Sequence, residues 1–356
     1  MPGRIVWFLV PDGIDDPTRV SGGNVYDREI RTGLRERGWS VNVVRVADPG
    51  AAEPHAEGSS APTAVDTVPD GGLALVDGLV GDWAAAELEA ASTRIRVVVL
   101  AHMVAAAFPD ASDATADAER RSLAGARRVV TTSRWTADQL VERGLADRQC
   151  ITVAVPGAHR SPPATAAEPG GELLCVGVIA PHKGQDLLLD ALARVSEPGW
   201  TCTLIGSMTV FPEFASRIAE SAAEFGGRVW MPGTLAPGEL DAVYRRTALL
   251  VAPSRLESSG MALAEAQAHG IPVMAAAVGG IPDTLGMGRT RAIGNRGGGA
   301  MLVLPDDAAA LADALDAWLS DPGLRDRLRT EARHARTLLP GWQDTARMVE
   351  EALVSA

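Results

Sequence analysis

Short, continuous apolar runs rich in β-branched residues alternate with helix-forming stretches along almost the whole chain. That alternation constrains the fold more than any other feature. In the first half the runs are residues 4–10, 41–46, 73–76, 95–100, 128–131 and 151–155. A short run that is apolar throughout suits a strand covered on both faces, as in a parallel sheet. Between the runs lie helical stretches, among them 24–37 closed by Gly38, 83–91, and 135–143 closed by Gly144. Ser133 is placed to cap the last of these. Strand and helix in strict turn predict a doubly wound α/β domain, whose ligands sit beyond the carboxyl ends of the strands. Residues 48–69, rich in Ala, Pro, Gly and acid, read as a surface loop.

From 156 to 171 the composition turns to Pro, Ala and Gly without periodicity, the mark of an interdomain linker. The alternation then restarts. Strands are expected at 173–176, 201–205, 229–231, 249–251, 273–276 and near 300–304. Helices are expected at 185–195, 212–225, 237–246, 261–269, 307–319 and 323–338. The 356 residues therefore divide into a first domain at 1–156, a linker at 157–171 and a second domain at 172–338. A terminal segment, 339–356, carries one more helix at 342–354.

Hydrophobic residues make up 46% and charged residues 22%, enough apolar material for two cores in a soluble protein. The net charge of −12, from 33 basic and 45 acidic residues, argues against a nucleic-acid partner, which would need clustered Lys and Arg. Cys150, Cys175 and Cys202 are odd in number and widely spaced, so they fit neither a disulfide framework nor a zinc site. A reducing cytoplasm is the expectation. The apolar run 5–10 leads into Pro11-Asp12-Gly13, which reads as a first strand entering a loop and not as a signal peptide. No run is long enough to span a bilayer. Abundant Ala, Arg, Gly and Val with a single Lys suggest a high-GC bacterial genome.

The segment Pro253-Ser254-Arg255-Leu256-Glu257-Ser258-Ser259-Gly260-Met261-Ala262-Leu263-Ala264-Glu265-Ala266 carries the chemistry. A Ser-Ser-Gly turn opens a helix, and unpaired N–H groups at Ser259, Gly260 and Met261 would present a phosphate site. Glu265 lies over a turn inside, and helical side chains lean toward the N-terminus, so its carboxylate could accept from a ribose diol. Glu257 precedes the helix, where it could hold a sugar on the far side of the anion. Phosphate between two polyols describes a nucleotide sugar.

In this setting the chain resembles the large family of retaining, GT-B-type glycosyltransferases that includes sucrose and glycogen synthases and phosphatidylinositol mannosyltransferases. The family's mark is two Glu separated by seven residues in a Pro-Ser…Glu-x-x-Gly…Glu-Ala…Gly-x-Pro-Val frame. Glu257, Gly260, Glu265, Ala266, Gly270, Pro272 and Val273 reproduce it. The resemblance extends along nearly the full chain and implies two Rossmann-like domains facing each other across a cleft, with the terminal helix returning to the first. It also implies donor binding mainly on the second domain, acceptor binding mainly on the first, and retention of configuration.

Further positions follow from the resemblance. Lys183, the chain's one Lys, stands where the family has a cation on the donor diphosphate, before Gly184 at a strand-to-helix junction. The family's companion Arg position is Val178, a departure that removes a forked donor. His182 or Arg255 could supply part of the missing charge. Gly22 and Gly23 form the double-glycine segment that would approach the phosphate closely with backbone N–H groups, next to Ser258–Met261 on the other domain. His102, two residues past a strand, matches a family His that contacts the transferred sugar. Arg28, Arg31 and Arg35 share one helix face, either a plain solvated face or a dock for an anionic acceptor or membrane surface.

The expectation is thus a cytoplasmic glycosyltransferase, of hexoses in particular, with Glu257, Lys183 and His102 as its catalytic groups. Donor contacts fall to Gly22, Gly23, Lys183, Ser258, Ser259, Gly260, Met261 and Glu265. A nucleotide diphosphate sugar is the co-substrate and no cofactor is implied. With no Asp-x-Asp sequence, metal-independent chemistry is expected. The alternatives are a nucleotide-sugar epimerase of similar shape and a non-catalytic nucleotide-sugar binding protein.

Overall fold

A computed structural model describes residues 4–16, 21–50, 58–108, 111–165, 170–287 and 296–356. The chain divides into two compact units, Met1–Gly157 with Trp342–Ala356, and Ala158–Gly341.

The first unit is built on six parallel strands: β1 (Ile5–Pro11), β2 (Ser40–Val46), β3 (Leu73–Asp77), β4 (Arg96–Ala101), β5 (Arg128–Thr131) and β6 (Ile151–Val153). They lie in the order β2-β1-β3-β4-β5-β6. β1 pairs with β2 through Val6↔Val41 and with β3 through Phe8↔Leu75. Helices cross over between strands, so both faces of the sheet are covered and β3 is buried at every position. The chain steps one way from β1 to β2 and the other way from β3 onward. That reversal opens a crevice beyond the carboxyl ends of β1 and β3.

The helix Trp342–Val354 packs against the helix Gly22–Glu36 of this unit. A Cβ at Gly33 would come within 2.5 Å of the Ala346 Cβ, so only glycine lets the two helices approach this closely. Trp342 meets Tyr26 edge-on at 5.7 Å. Glu350 accepts from Trp39 Nε1 at 3.1 Å and pairs with Arg4 and Arg37. Burial acts to raise the Glu350 pKa, but these donors hold it below the ordinary value.

The second unit holds β7 (Glu172–Val176), β8 (Thr201–Ile205), β9 (Val229–Gly233), β10 (Leu249–Ala252), β11 (Val273–Ala276), β12 (Arg296–Gly297) and β13 (Ala300–Val303). Their order is β12-β13-β11-β10-β7-β8-β9. All pairings are parallel except that of β12 with β13, so the parallel strands follow the Rossmann order with β7 and β10 at the point of reversal. Trp200, Trp318, Leu188, Leu249 and Met274 are fully buried in its core.

Several expectations change. The proposed linker is, over residues 158–165, fastened to the second unit: Ala164 N donates to His269 O and Thr165 N to Arg245 O, both at 2.8 Å, and Arg336 binds Ser161 O. Backbone groups that find such partners stop being a free connection. The proposed loop 48–69 contains the helix Ala61–Asp66, and Ser59 bridges to Val46; residues 51–57 lie outside the described ones. The helix Gly78–Trp83 was hidden by its two glycines and forms because Asp77 caps it, accepting from Leu79 N at 2.8 Å. Another unexpected helix spans Asp113–Ala124.

Candidate active site

At the reversal point of the second sheet, the segments leaving β7 and β10 run side by side. The β7 segment makes a short 3₁₀ turn, Pro181–Lys183, and Gly184 follows at φ +70°. A Cβ at Gly184 would lie 2.3 Å from Pro253 O, so this close approach and the left-handed backbone both demand glycine. The buried Gln185 braces the preceding turn, donating to Val178 O at 2.9 Å and accepting from Ala180 N at 3.3 Å. Val178 itself is half-buried and is not a core side chain.

These contacts bring Lys183 to Glu257. Lys183 Nζ lies 2.6 Å from Glu257 Oε2, and Glu257 Oε1 accepts from Gly260 N at 3.1 Å. Burial acts to raise the Glu257 pKa, but the Lys183 ammonium and the Gly260 N–H outweigh it and hold the carboxyl below its ordinary value. The Glu257 backbone is gripped as well. Gly280 N donates to Glu257 O at 2.9 Å, and Gly279, at φ +55°, approaches so closely that a Cβ would lie 1.8 Å from that oxygen.

The helix opening at this turn spans Met261–Ala268, one residue shorter than expected, with Gly260 as its N-cap at φ +76°. Glu257 already occupies the Gly260 N–H, so the free donors expected at Ser259–Met261 are one fewer. Ser259 O accepts from Thr284 Oγ1. Ser258 is half-buried in the same turn. Arg255 does not add a free cation: its guanidinium forks onto Asp186 at 2.8 and 2.9 Å and reaches Asp306 at 2.7 Å.

Glu265 lies one turn into the helix, and Oε2 accepts from Tyr244 Oη at 2.8 Å. Burial raises the Glu265 pKa, with the Tyr244 hydroxyl pulling the other way. Tyr244 stacks on His269, centroids 4.9 Å apart and planes 17° from parallel. His269 Nδ1 lies 2.8 Å from Glu265 O and Nε2 3.0 Å from Asp241 Oδ1.

In the first unit, Gly22 and Gly23 form the opening turn of the helix Gly22–Glu36 and not a loop before it. Ser21 supplies the reason, its hydroxyl accepting from Asn24 N at 3.1 Å. A Cβ at Gly23 would sit 3.4 Å from His102 Cδ2, so this turn lies against the His102 ring. His102 Nε2 is 2.9 Å from Asp27 Oδ1 and 3.1 Å from Asp77 Oδ2, both carboxylates being buried. Burial alone would lower the His102 pKa; Asp27 first, then Asp77, push it up to about 10. Burial raises Asp27 to about 7 against the pull of His102. Among the described residues these three groups are the one His/Cys/Asp/Glu set close enough to share a cation. Nε2 stands at hydrogen-bond distance from both acids, so a proton on it accounts for the arrangement. Glu119 accepts from Ala105 N at 2.7 Å and Ala106 N at 3.0 Å, fixing the segment after His102.

The arginine face of the first helix is committed to its own unit. Arg31 forks onto Asp15 at 2.7 and 2.9 Å, Arg28 donates to Ile14 O at 2.6 Å, and Arg35 to Val41 O at 3.3 Å. It is not a free docking stripe.

Residues 162–335 match the family described as Glycosyl transferases group 1. The match falls on the second unit, which is similar to members of that family. Curated relatives include a D-inositol 3-phosphate glycosyltransferase of Nocardia farcinica, 34% identical over 74% of this chain and 62% of its own length. Another, from Arthrobacter sp., is 32% identical over 67% of this chain and 58% of its own length. The chain thus spans about three fifths of these relatives. Similar solved structures include sucrose-phosphate synthase from Thermosynechococcus elongatus, at TM-score 0.77 and 21% identity over 98% of both chains. Anabaena Alr3699/HepE, in complex with UDP and glucose, reaches TM-score 0.76 at 18% identity over 99% of this chain and 100% of its own. The fold is that of the GT-B glycosyltransferases, two Rossmann-like α/β units.

Reading the sequence alone overlooks Gln185, Tyr244, Asp27, Asp77 and the pair Gly279-Gly280. The glycine pair carried a signal, since two glycines between a strand and a helix mark close backbone approach. The others are single polar residues on helices or at a strand end, where nothing in the local pattern sets them apart.

Proposed function

We propose that this protein is a retaining, metal-independent glycosyltransferase of the group 1 type that moves a hexose from a nucleotide diphosphate sugar to an acceptor hydroxyl. The observation that carries the reading is the Lys183–Glu257 pair at the β7/β10 reversal, with Gly260 N on the same carboxylate. A cation and a backbone donor stand there beside an acid that remains ionised at neutral pH.

Cleavage of the anomeric bond builds negative charge on the departing diphosphate, and stabilising that charge lowers the barrier. In this reading Lys183 turns from Glu257 to the diphosphate, and Glu257 is released to orient the sugar and to favour positive charge near the anomeric carbon. Remaining N–H groups around Ser258–Met261 share the phosphate, Glu265 takes the ribose, Gly22 and Gly23 add backbone donors, and His102 serves the sugar. The leaving phosphate takes the acceptor proton. The Anabaena protein, whose structure holds UDP-glucose, supports a nucleotide sugar as donor.

The relatives make D-inositol 3-phosphate the first acceptor to try. Cytoplasmic residence remains part of the proposal, and no described helix is long and apolar enough to cross a membrane. Incubation with a panel of nucleotide sugars and acceptors, followed by NMR of the product anomer, tests it. Transfer with retention is expected without added metal and in the presence of chelator. Isomerised free donor would replace the reading with an epimerase, and binding without turnover with a non-catalytic protein.

A further inference from the structure

Four residues on two helices form a closed arrangement, and the roles above use only one of them, Glu265. Asp241 and Tyr244 stand three apart on the helix Pro237–Arg246. Glu265 and His269 stand four apart, the first inside the helix Met261–Ala268 and the second its C-cap. Residues three or four apart share a helix face, so each helix offers a pair to the other. The contacts close in a ring: Asp241 Oδ1 to His269 Nε2 at 3.0 Å, the His269 ring stacked on Tyr244, and Tyr244 Oη to Glu265 Oε2 at 2.8 Å.

His269 Nδ1, 2.8 Å from the Glu265 carbonyl, ties the histidine to the same residue whose side chain Tyr244 holds. Tyr244 is 2% exposed and His269 5%, so the stack is a packed contact with little room to shift. The consequence falls on one carboxylate. Oε2 is engaged by a fixed donor, and the Tyr244 hydroxyl is the hydrogen-bond donor to this carboxylate among the described residues. A carboxylate held at one oxygen has a defined plane, and the other oxygen then faces a defined direction.

We infer that Tyr244, backed by His269 and Asp241, is a positioning residue that aims Glu265 at a ribose diol and makes the site selective for ribonucleotides over deoxyribonucleotides. The inference rests on the proposed role of Glu265 and adds the residue that makes that role selective. Without the phenol the Glu265 side chain gains rotamer freedom, and its contact with a ribose hydroxyl loses the preorganisation on which discrimination depends.

Calorimetric titration of the full chain with UDP, ADP and GDP and with their 2′-deoxy counterparts tests this, reading the tightest-binding pair. Removing one hydroxyl from a charged acceptor should weaken binding to wild type by roughly tenfold. In Tyr244→Phe, which keeps the ring and its stack, the ribo-to-deoxy ratio should fall to about threefold or less, by loss of affinity for the ribonucleotide. In Glu265→Gln it should approach unity. A ratio kept at the wild-type value in Tyr244→Phe, with Glu265→Gln collapsed, overturns the positioning role and leaves Glu265 on the ribose. A ratio unchanged in Glu265→Gln removes Glu265 from the ribose altogether. General loosening of the fold would weaken ribo- and deoxyribonucleotide alike, so the ratio separates positioning from stability.

Discussion

Lys183 Nζ lies 2.6 Å from Glu257 Oε2, although 74 positions separate the two in the chain. The chain's one lysine and the first of its two spaced glutamates thus neutralise each other beyond the strands β7 and β10. Each holds the other where an anionic substrate would need a cation.

Lys183→Ala should lower transfer on the order of a hundredfold or more, because no forked donor stands at Val178 and Arg255 is engaged elsewhere. It should also destabilise the fold by about 1–3 kcal/mol, since Glu257 keeps its charge with one backbone donor left. Adding Glu257→Gln should recover much of that stability and none of the turnover. Val178 is half-buried, so Val178→Arg should be tolerated and should restore part of the transfer in the Lys183→Ala background. Melting temperature and initial rates on the four proteins check the set; an unaltered rate in Lys183→Ala would remove the lysine from leaving-group stabilisation.

Glu257 contributes a pH dependence of known sign. Its folded pKa lies below the ordinary value of 4.5, so its stabilisation is complete above that value and is lost as pH falls through the folded pKa. Glu257→Gln should flatten this part of the acid limb below about pH 4.5 while leaving the neutral plateau's slope unchanged. Denaturant titrations at stepped pH measure it. An identical acid limb in both proteins would show that the Lys183 contact does not stabilise the carboxylate.

His102 should stay protonated well above the range of a free imidazole. With a folded value of about 10 against an ordinary 6.5, its stabilisation is present below pH 6.5 and lost as pH rises through about 10. Asp27→Asn removes the strongest of the raising influences, so the His102 titration should move down toward neutrality. NMR of the ring carbons follows this directly. A wild-type midpoint near 6.5 would contradict the two-carboxylate environment.

Gly279→Ala should cost about 1–3 kcal/mol, as left-handed backbone and a blocked approach act together. The Cβ would lie 1.8 Å from Glu257 O, so Glu257 must move with the loop. Transfer should fall more than affinity for the free nucleoside diphosphate does. A fall confined to nucleotide affinity would mean that Gly279 supports the nucleotide and not the sugar side.

The alternation of apolar runs and helices determined two doubly wound units by itself, because strands covered on both faces must be apolar throughout and that pattern is local. The frame from Pro253 to Ala266 likewise placed Glu257 and Glu265 about one helix opening, since a turn, a glycine cap and a helix are short-range features, whereas Lys183 was singled out by the resemblance and not by a local pattern. Other features lay beyond local reading. The helix Gly78–Trp83 depends on the Asp77 cap outweighing two glycines, and residues 158–165 are held by backbone partners far along the chain. The ring Asp241–His269–Tyr244–Glu265 joins two helices, and the acids on His102 come from the helix Gly22–Glu36 and from β3. Charge and hydrogen bonding between distant residues have no period in the sequence. Only the tertiary structure decides which donor meets which acceptor, and it does so by packing helices and strand ends whose own patterns report only burial.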